Sequence, residues 1–150
     1  MKIEDAYDKI YRYCYSKVRH RETAEDLTQE TFLRFLRGSY EERGKEMNYL
    51  YTIARNLCAE QSRKKAWEEL SPEEPDPGGK QAQEQRLDTI VMRQALLKLE
   101  EEDREIIFLR FINEEPLGVI SKLTGISRFA LYRRIQNILK ALRAILEEDQ

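Results

Sequence analysis

Lys122, Arg128, Arg133, Arg134, Lys140 and Arg143 fall within the 27 residues from Leu117 to Arg143, LGVISKLTGISRFALYRRIQNILKALR, with no acidic residue among them. In a chain of net charge −2 this is a local island of +6. Clustered guanidinium and ammonium groups neutralise phosphates and, held in the right place, donate to base edges. Holding them takes two helices. One opens after Pro116, a suitable first-turn residue. A turn follows at Gly125, and a second helix opens at Ser127, a good N-cap. Ile120, Ile126 and Leu131 are apolar where such a unit needs a core, and Ser121 is small where the helices cross. This is the layout of a helix-turn-helix, whose second helix fits the DNA major groove.

The remaining composition narrows the field. The chain has 150 residues, 41% hydrophobic and 36% charged, enough for one domain or two small ones. No run of about 18 apolar residues is present, so no transmembrane helix is expected. The start, MKIEDAYDKIYRYC, is amphipathic and acidic, unlike a secretory leader. Cys14 and Cys58 sit alone inside apolar stripes and read as reduced core residues of a cytoplasmic protein. His20, the single histidine, reads as a surface residue between Arg19 and Arg21. No clustered His, Cys and carboxylates suggest a metal, and Gly78-Gly79 matches no phosphate-cradling loop. No catalytic residue, cofactor or small-molecule substrate is therefore expected.

Residues 68–88, EELSPEEPDPGGKQAQEQRLD, carry three of the four prolines and seven acids against Lys80 and Arg86. Such a segment cannot bury a core and reads as a flexible acidic linker. It separates residues 1–67, net +3, from residues 89–150, net zero. Everything else reads as helix, giving an all-α chain of two small helical domains. Ile3, Tyr7, Ile10, Cys14 and Val18 mark a first helix. A second starts at Thr23, an N-cap with Asp26 three residues on, and runs to Arg37 before Gly38. A third spans Asn48 to Trp67, with Leu50, Ile53, Ala54, Leu57 and Cys58 on its apolar face. Its other face shows Tyr51, Thr52, Arg55, Asn56, Glu60 and Arg63. Leu87, Ile90, Val91 and Leu97 mark a fourth, and Ile106, Ile107, Leu109 and Phe111 a fifth.

The second helix, AEDLTQETFLRFL, sets Asp26, Gln29 and Glu30 on neighbouring turns and spreads Phe32, Leu33, Phe35 and Leu36 around much of its circumference. A helix apolar on more than one face needs a second partner. This stretch resembles the polymerase-binding helix, region two, of bacterial sigma factors. YLYTIARNLCAEQSRKK resembles the promoter-melting helix that follows it. LLKLEEEDREIIFLRF and the helix-turn-helix resemble region four. Two modules joined by a short linker are similar to the extracytoplasmic-function (ECF) group of the sigma-70 family.

The resemblance implies a division of labour. Residues 1–67 would bind core RNA polymerase and melt the −10 element, and residues 89–150 would read the −35 element. Asp26, Gln29, Glu30 and Phe32 match the polymerase contact, where carboxylates and an amide can pair with partner arginines beside an aromatic anchor. Tyr40, in the loop SYEERGKEMN, and Asn56, with Glu60 one turn on, match a pocket for an extruded base. Tyr49 stands where the family commonly has Trp. Arg63 opens a basic cluster with Lys64 and Lys65, which suits either phosphate or the helix C-terminus. On the recognition helix, Arg128, Phe129, Tyr132, Arg133 and Gln136 match groove-facing positions, and Arg134 matches a family arginine expected to grip phosphate. Val119, Thr124, Ala130 and Arg133 depart from the family pattern, so promoter preference is open while DNA binding is not.

The implied function is an ECF-type sigma factor directing promoter-specific initiation, with core polymerase, promoter DNA and an anti-sigma factor as partners. With no sensory extension past Gln150, regulation is expected from outside the chain. The acidic linker could mimic a transcript in the polymerase cleft or serve as a solvated spacer. The alternative is a helix-turn-helix regulator that never joins the polymerase. It accounts for the C-terminal module but not for AEDLTQETFLRFL.

Overall fold

The computed structural model describes residues 2–38, 44–67 and 83–148, and these form helices with no strand among them. The chain divides into two compact units, Met1–Glu74 and Pro75–Gln150, the break falling inside the acidic stretch.

The first unit packs three helices against one another: α1 (Ile3–Val18), α2 (Arg21–Arg37) and α3 (Glu46–Trp67). α1 buries Ala6, Ile10, Tyr13, Cys14 and Val18. It ends at Arg19, left-handed at φ 55°, whose N–H reaches Tyr15 O at 2.9 Å. α2 begins two residues before Thr23, and its cap is His20. The Nδ1 of His20 accepts the Thr23 N–H at 3.3 Å and lies 3.0 Å from Thr23 Oγ1. The ring nitrogen does what a Ser or Asp oxygen does at other helix starts. His20 is therefore half-buried and structural rather than a surface residue.

α2 buries its small residues, Ala24, Thr28 and Thr31, rather than its large apolar ones. Both threonine hydroxyls are satisfied locally, Thr28 by Ala24 O at 2.6 Å and Thr31 by Leu27 O at 2.7 Å. A helix packed through such residues can approach its neighbours closely without stranding a polar group. On α3, Leu50, Tyr51, Ala54, Leu57 and Cys58 are buried. Tyr51 thus belongs to the core and not to the polar face. Its ring meets Tyr13 edge-on, 5.4 Å between centroids at 70°, a favourable aromatic geometry. Cys14 and Cys58 are both buried thiols. A hydrogen bond with Cys58 lowers the Cys14 thiol below its usual range; burial opposes this, and Thr28 adds to the lowering.

The second unit comprises α4 (Gln83–Leu97), α5 (Glu101–Ile107), a π-helical turn (Phe108–Ile112), α6 (Leu117–Thr124) and α7 (Arg128–Glu148). Residues 68–82 of the expected linker lie outside the described residues, but residues 83–88 belong to α4. Gln, Glu and Arg there are good helix formers once the prolines and glycines have passed. Ala95 is buried, whereas Ile90, Val91, Met92 and Leu97 are exposed. Ile106, Ile107 and Leu109 enter the core. Phe111 does not, because the π turn adds a residue and shifts the phase, burying Asn113 and turning Phe111 and Ile112 outward. α7 closes the core with Leu131, Ile135, Ile138 and Leu142, one stripe at helical spacing.

Candidate nucleic-acid and partner interfaces

The turn between α6 and α7 is built by hydrogen bonds from its own small residues. Pro116 occupies the N-cap position of α6, one place earlier than the first helical turn. Gly125 is left-handed at φ 78°, which an L side chain rarely adopts, and its N–H reaches Ser121 O at 2.9 Å. Ser121 is more than small: its hydroxyl donates to Ile126 O at 2.5 Å, across the turn. Thr124 donates to Ile120 O at 2.8 Å and accepts the Ile126 N–H at 3.3 Å. Its hydroxyl therefore ties the turn. Ser127 caps α7 as its sequence suggests, Oγ accepting the Ala130 N–H at 3.2 Å.

This frame fixes which side of α7 stays open. Phe129, Tyr132, Arg133 and Gln136 are exposed on one face, continued by Lys140 and Arg143. Phe129 is 85% exposed, an almost bare aromatic ring at the helix start. Arg134 is turned away from this face. Its Nε lies 2.8 Å from Asp103 Oδ1 and it also donates to Glu102, both on the first turn of α5. These two carboxylates engage the guanidinium and tie α7 to α5.

On α2, Asp26 and Gln29 are exposed, and Glu30 pairs with Arg34 at 3.0 Å. Phe32 is half-buried against Tyr7, 5.5 Å between ring centroids. Beside them stand Leu33, 47% exposed, and Leu36, 72% exposed. These two leucines were not among the candidate contacts named from sequence. Their signal was present in the apolar residues spread around the helix. On α3, Asn56, Glu60 and Arg63 are exposed at spacings of four and three, one stripe along the helix, with Tyr49 half-buried at its start. Tyr40 lies outside the described residues. Among the described residues, no helix is long and apolar enough to cross a membrane.

Comparison with known proteins follows the same division. The family model for sigma-70 region 2 matches residues 3–68, and that for sigma-70 region 4 matches residues 90–142. The ECF RNA polymerase sigma factor SigW of Bacillus subtilis is 31% identical, over 97% of this chain and 88% of its own length. The chain belongs to the ECF group of the sigma-70 family. The ECF sigma factor BldN of Streptomyces coelicolor is likewise 31% identical over 94% of this chain, which spans 59% of that relative's length. Among solved structures, the sigma factor RpoE of Bartonella quintana, crystallised with the anti-sigma factor NepR, matches with a TM-score of 0.71. The match covers 97% of this chain and 94% of RpoE at 23% identity, a likeness of fold. Members of this sigma family are transcription initiation factors, and both region 2 and region 4 are present in this chain.

Proposed function

We propose that this sigma factor docks on core RNA polymerase through the outer face of α2, opens the −10 element with α3, and reads the −35 element with α7. One observation carries the reading. α2 buries alanine and threonines yet leaves Leu33 and Leu36 uncovered beside Asp26 and Gln29. Large apolar side chains flanked by exposed polar groups, on a helix already packed on its other side, make a partner surface. A DNA-binding regulator acting without the polymerase has no use for it.

The proposed polymerase contact is Asp26, Gln29 and Phe32 with Leu33 and Leu36, Glu30 being shared with Arg34. The stripe of Asn56, Glu60 and Arg63, with Tyr49 at its head and Tyr40 from the preceding loop, is proposed to take the displaced strand: amide to base edge, ring to base face, guanidinium to phosphate. Phe129, Tyr132, Arg133 and Gln136 are proposed as the −35 readers. Arg134 is left out of this set as a positioning residue. An anti-sigma factor is a further proposed partner, as RpoE of Bartonella quintana is held by NepR. The uncovered apolar residues of α2, and Ile90 and Leu97 of α4, offer it surface.

The test is reconstitution. The protein is mixed with bacterial core polymerase and run-off transcription is measured over a genomic promoter library. Co-purification with core and initiation at a shared promoter motif are expected. Binding to DNA without any association with core would favour the stand-alone regulator.

A further inference from the structure

Gly118 sits inside α6, and its backbone is not left-handed. Conformational freedom therefore does not explain a glycine there, and glycine destabilises a helix interior relative to alanine. Space explains it. A Cβ at this position would stand 2.7 Å from Nη2 of Arg128, 3.4 Å from its Cζ and 3.5 Å from its Nε. The guanidinium of Arg128 lies against the first turn of α6, in the room that the missing side chain leaves.

That position separates Arg128 from the residues beside it. Arg128 immediately precedes Phe129, so it points about 100° away around α7 from the centre of the exposed stripe. It is exposed, and its guanidinium is directed back along α6. In a helix-turn-helix the second helix enters the groove while the first crosses the sugar–phosphate backbone. A cation laid over the first helix faces phosphate rather than base edges.

We propose that Gly118 is a positioning residue that seats Arg128 on α6 and makes it a phosphate anchor rather than a base reader. The proposal rests on α7 reading promoter DNA. It makes residue 118, remote from the reading face, a determinant of specificity: a side chain there displaces the guanidinium from α6, and the exposed side chain one turn on along its own helix is Tyr132 of the reading face.

The experiment uses the reconstituted holoenzyme on a library with a randomised −35 element. Arg128→Ala is expected to weaken binding to all sequences alike and to reduce the salt slope by about 0.9, with the base preferences unchanged. Gly118→Ala is expected to add a guanine preference at one position, of about 5- to 150-fold. That preference should vanish in the Gly118→Ala/Arg128→Ala double variant. The proposal is overturned if Gly118→Ala leaves the profile unchanged. It is equally overturned if Arg128→Ala alone erases a base preference, an arm that needs no change at Gly118. A wild-type holoenzyme with no −35 preference at all would overturn the promoter-reading role itself, and this proposal with it.

Discussion

Arg134 Nε lies 2.8 Å from Asp103 Oδ1, so the recognition helix is fastened to the first turn of α5 by the very arginine that its sequence offers for DNA. The pair is only partly exposed, 31% for the arginine and 21% for the aspartate. It is less screened than a fully exposed ion pair. Arg134→Ala and Asp103→Ala should each lower the stability of the second unit by about 1 kcal/mol, or about 4–8 °C in melting temperature. Both should weaken −35 binding through loss of α7 placement. The comparison of the two is the useful measurement. An arginine that gripped phosphate would be freed by Asp103→Ala, and binding would strengthen. Stronger promoter binding by Asp103→Ala would show that Arg134 belongs to the DNA interface after all.

His20 caps α2 through Nδ1, which requires that nitrogen to carry a lone pair toward the Thr23 N–H. His20→Ala should therefore cost about 1 kcal/mol, the usual loss for a removed cap. His20→Asp, which supplies a carboxylate oxygen at the same place, should recover most of it. Urea denaturation of the three proteins measures this, and a neutral His20→Ala would remove the capping role.

The helices and the turn between α6 and α7 were legible in the sequence because each rests on local chemistry: apolar spacing for α1 and α3, Gly125 for the left-handed turn, Ser127 for the cap. What was not legible depends on neighbours far along the chain. Tyr51 reads as polar-face until Tyr13 of α1 is set against it. Thr28 and Thr31 carry no sequence signal of burial, and their hydroxyls bond the carbonyls of their own helix. Ile90, Val91 and Leu97 of α4 read as core, yet they are exposed and Ala95 is buried, because which side of a helix meets the rest is a tertiary matter. The candidate sites divide in the same way. Asp26, Gln29, Asn56, Glu60 and Arg133 are exposed on helix faces that periodicity predicts. Arg134 and Arg128 are engaged by Asp103 and by the space at Gly118, relationships that spacing cannot reveal.

Leu33 and Leu36 are exposed, so their removal should spare the fold and strike the partner. Leu36→Glu is expected to leave the unfolding midpoint within about 0.5 kcal/mol of wild type, as for surface changes generally. It should lower affinity for core polymerase by tenfold or more, about 1.4 kcal/mol, as expected for a buried anchor at an interface. Fluorescence titration of labelled protein with core polymerase reads the affinity, and circular dichroism reads the fold. Unchanged affinity would move the docking face off α2.

Phe129 is 85% exposed at the first turn of α7. An aromatic ring so placed contributes nothing to the core of the second unit, so Phe129→Ala should not destabilise it and reads purely as a binding change. On DNA the ring has one natural partner, the methyl group of thymine in the major groove. Loss of the ring should therefore act at one base position and not across the element, in contrast to Arg133→Ala, which also removes a charge and should flatten the salt dependence. Competition between thymine and uracil at each −35 position isolates the methyl group. Wild-type holoenzyme is expected to prefer thymine at one position by about 1 kcal/mol or more, and Phe129→Ala to bind both alike. If the thymine preference survives in Phe129→Ala, the methyl is read by another side chain, and Tyr132, exposed on the same face, is the next to remove.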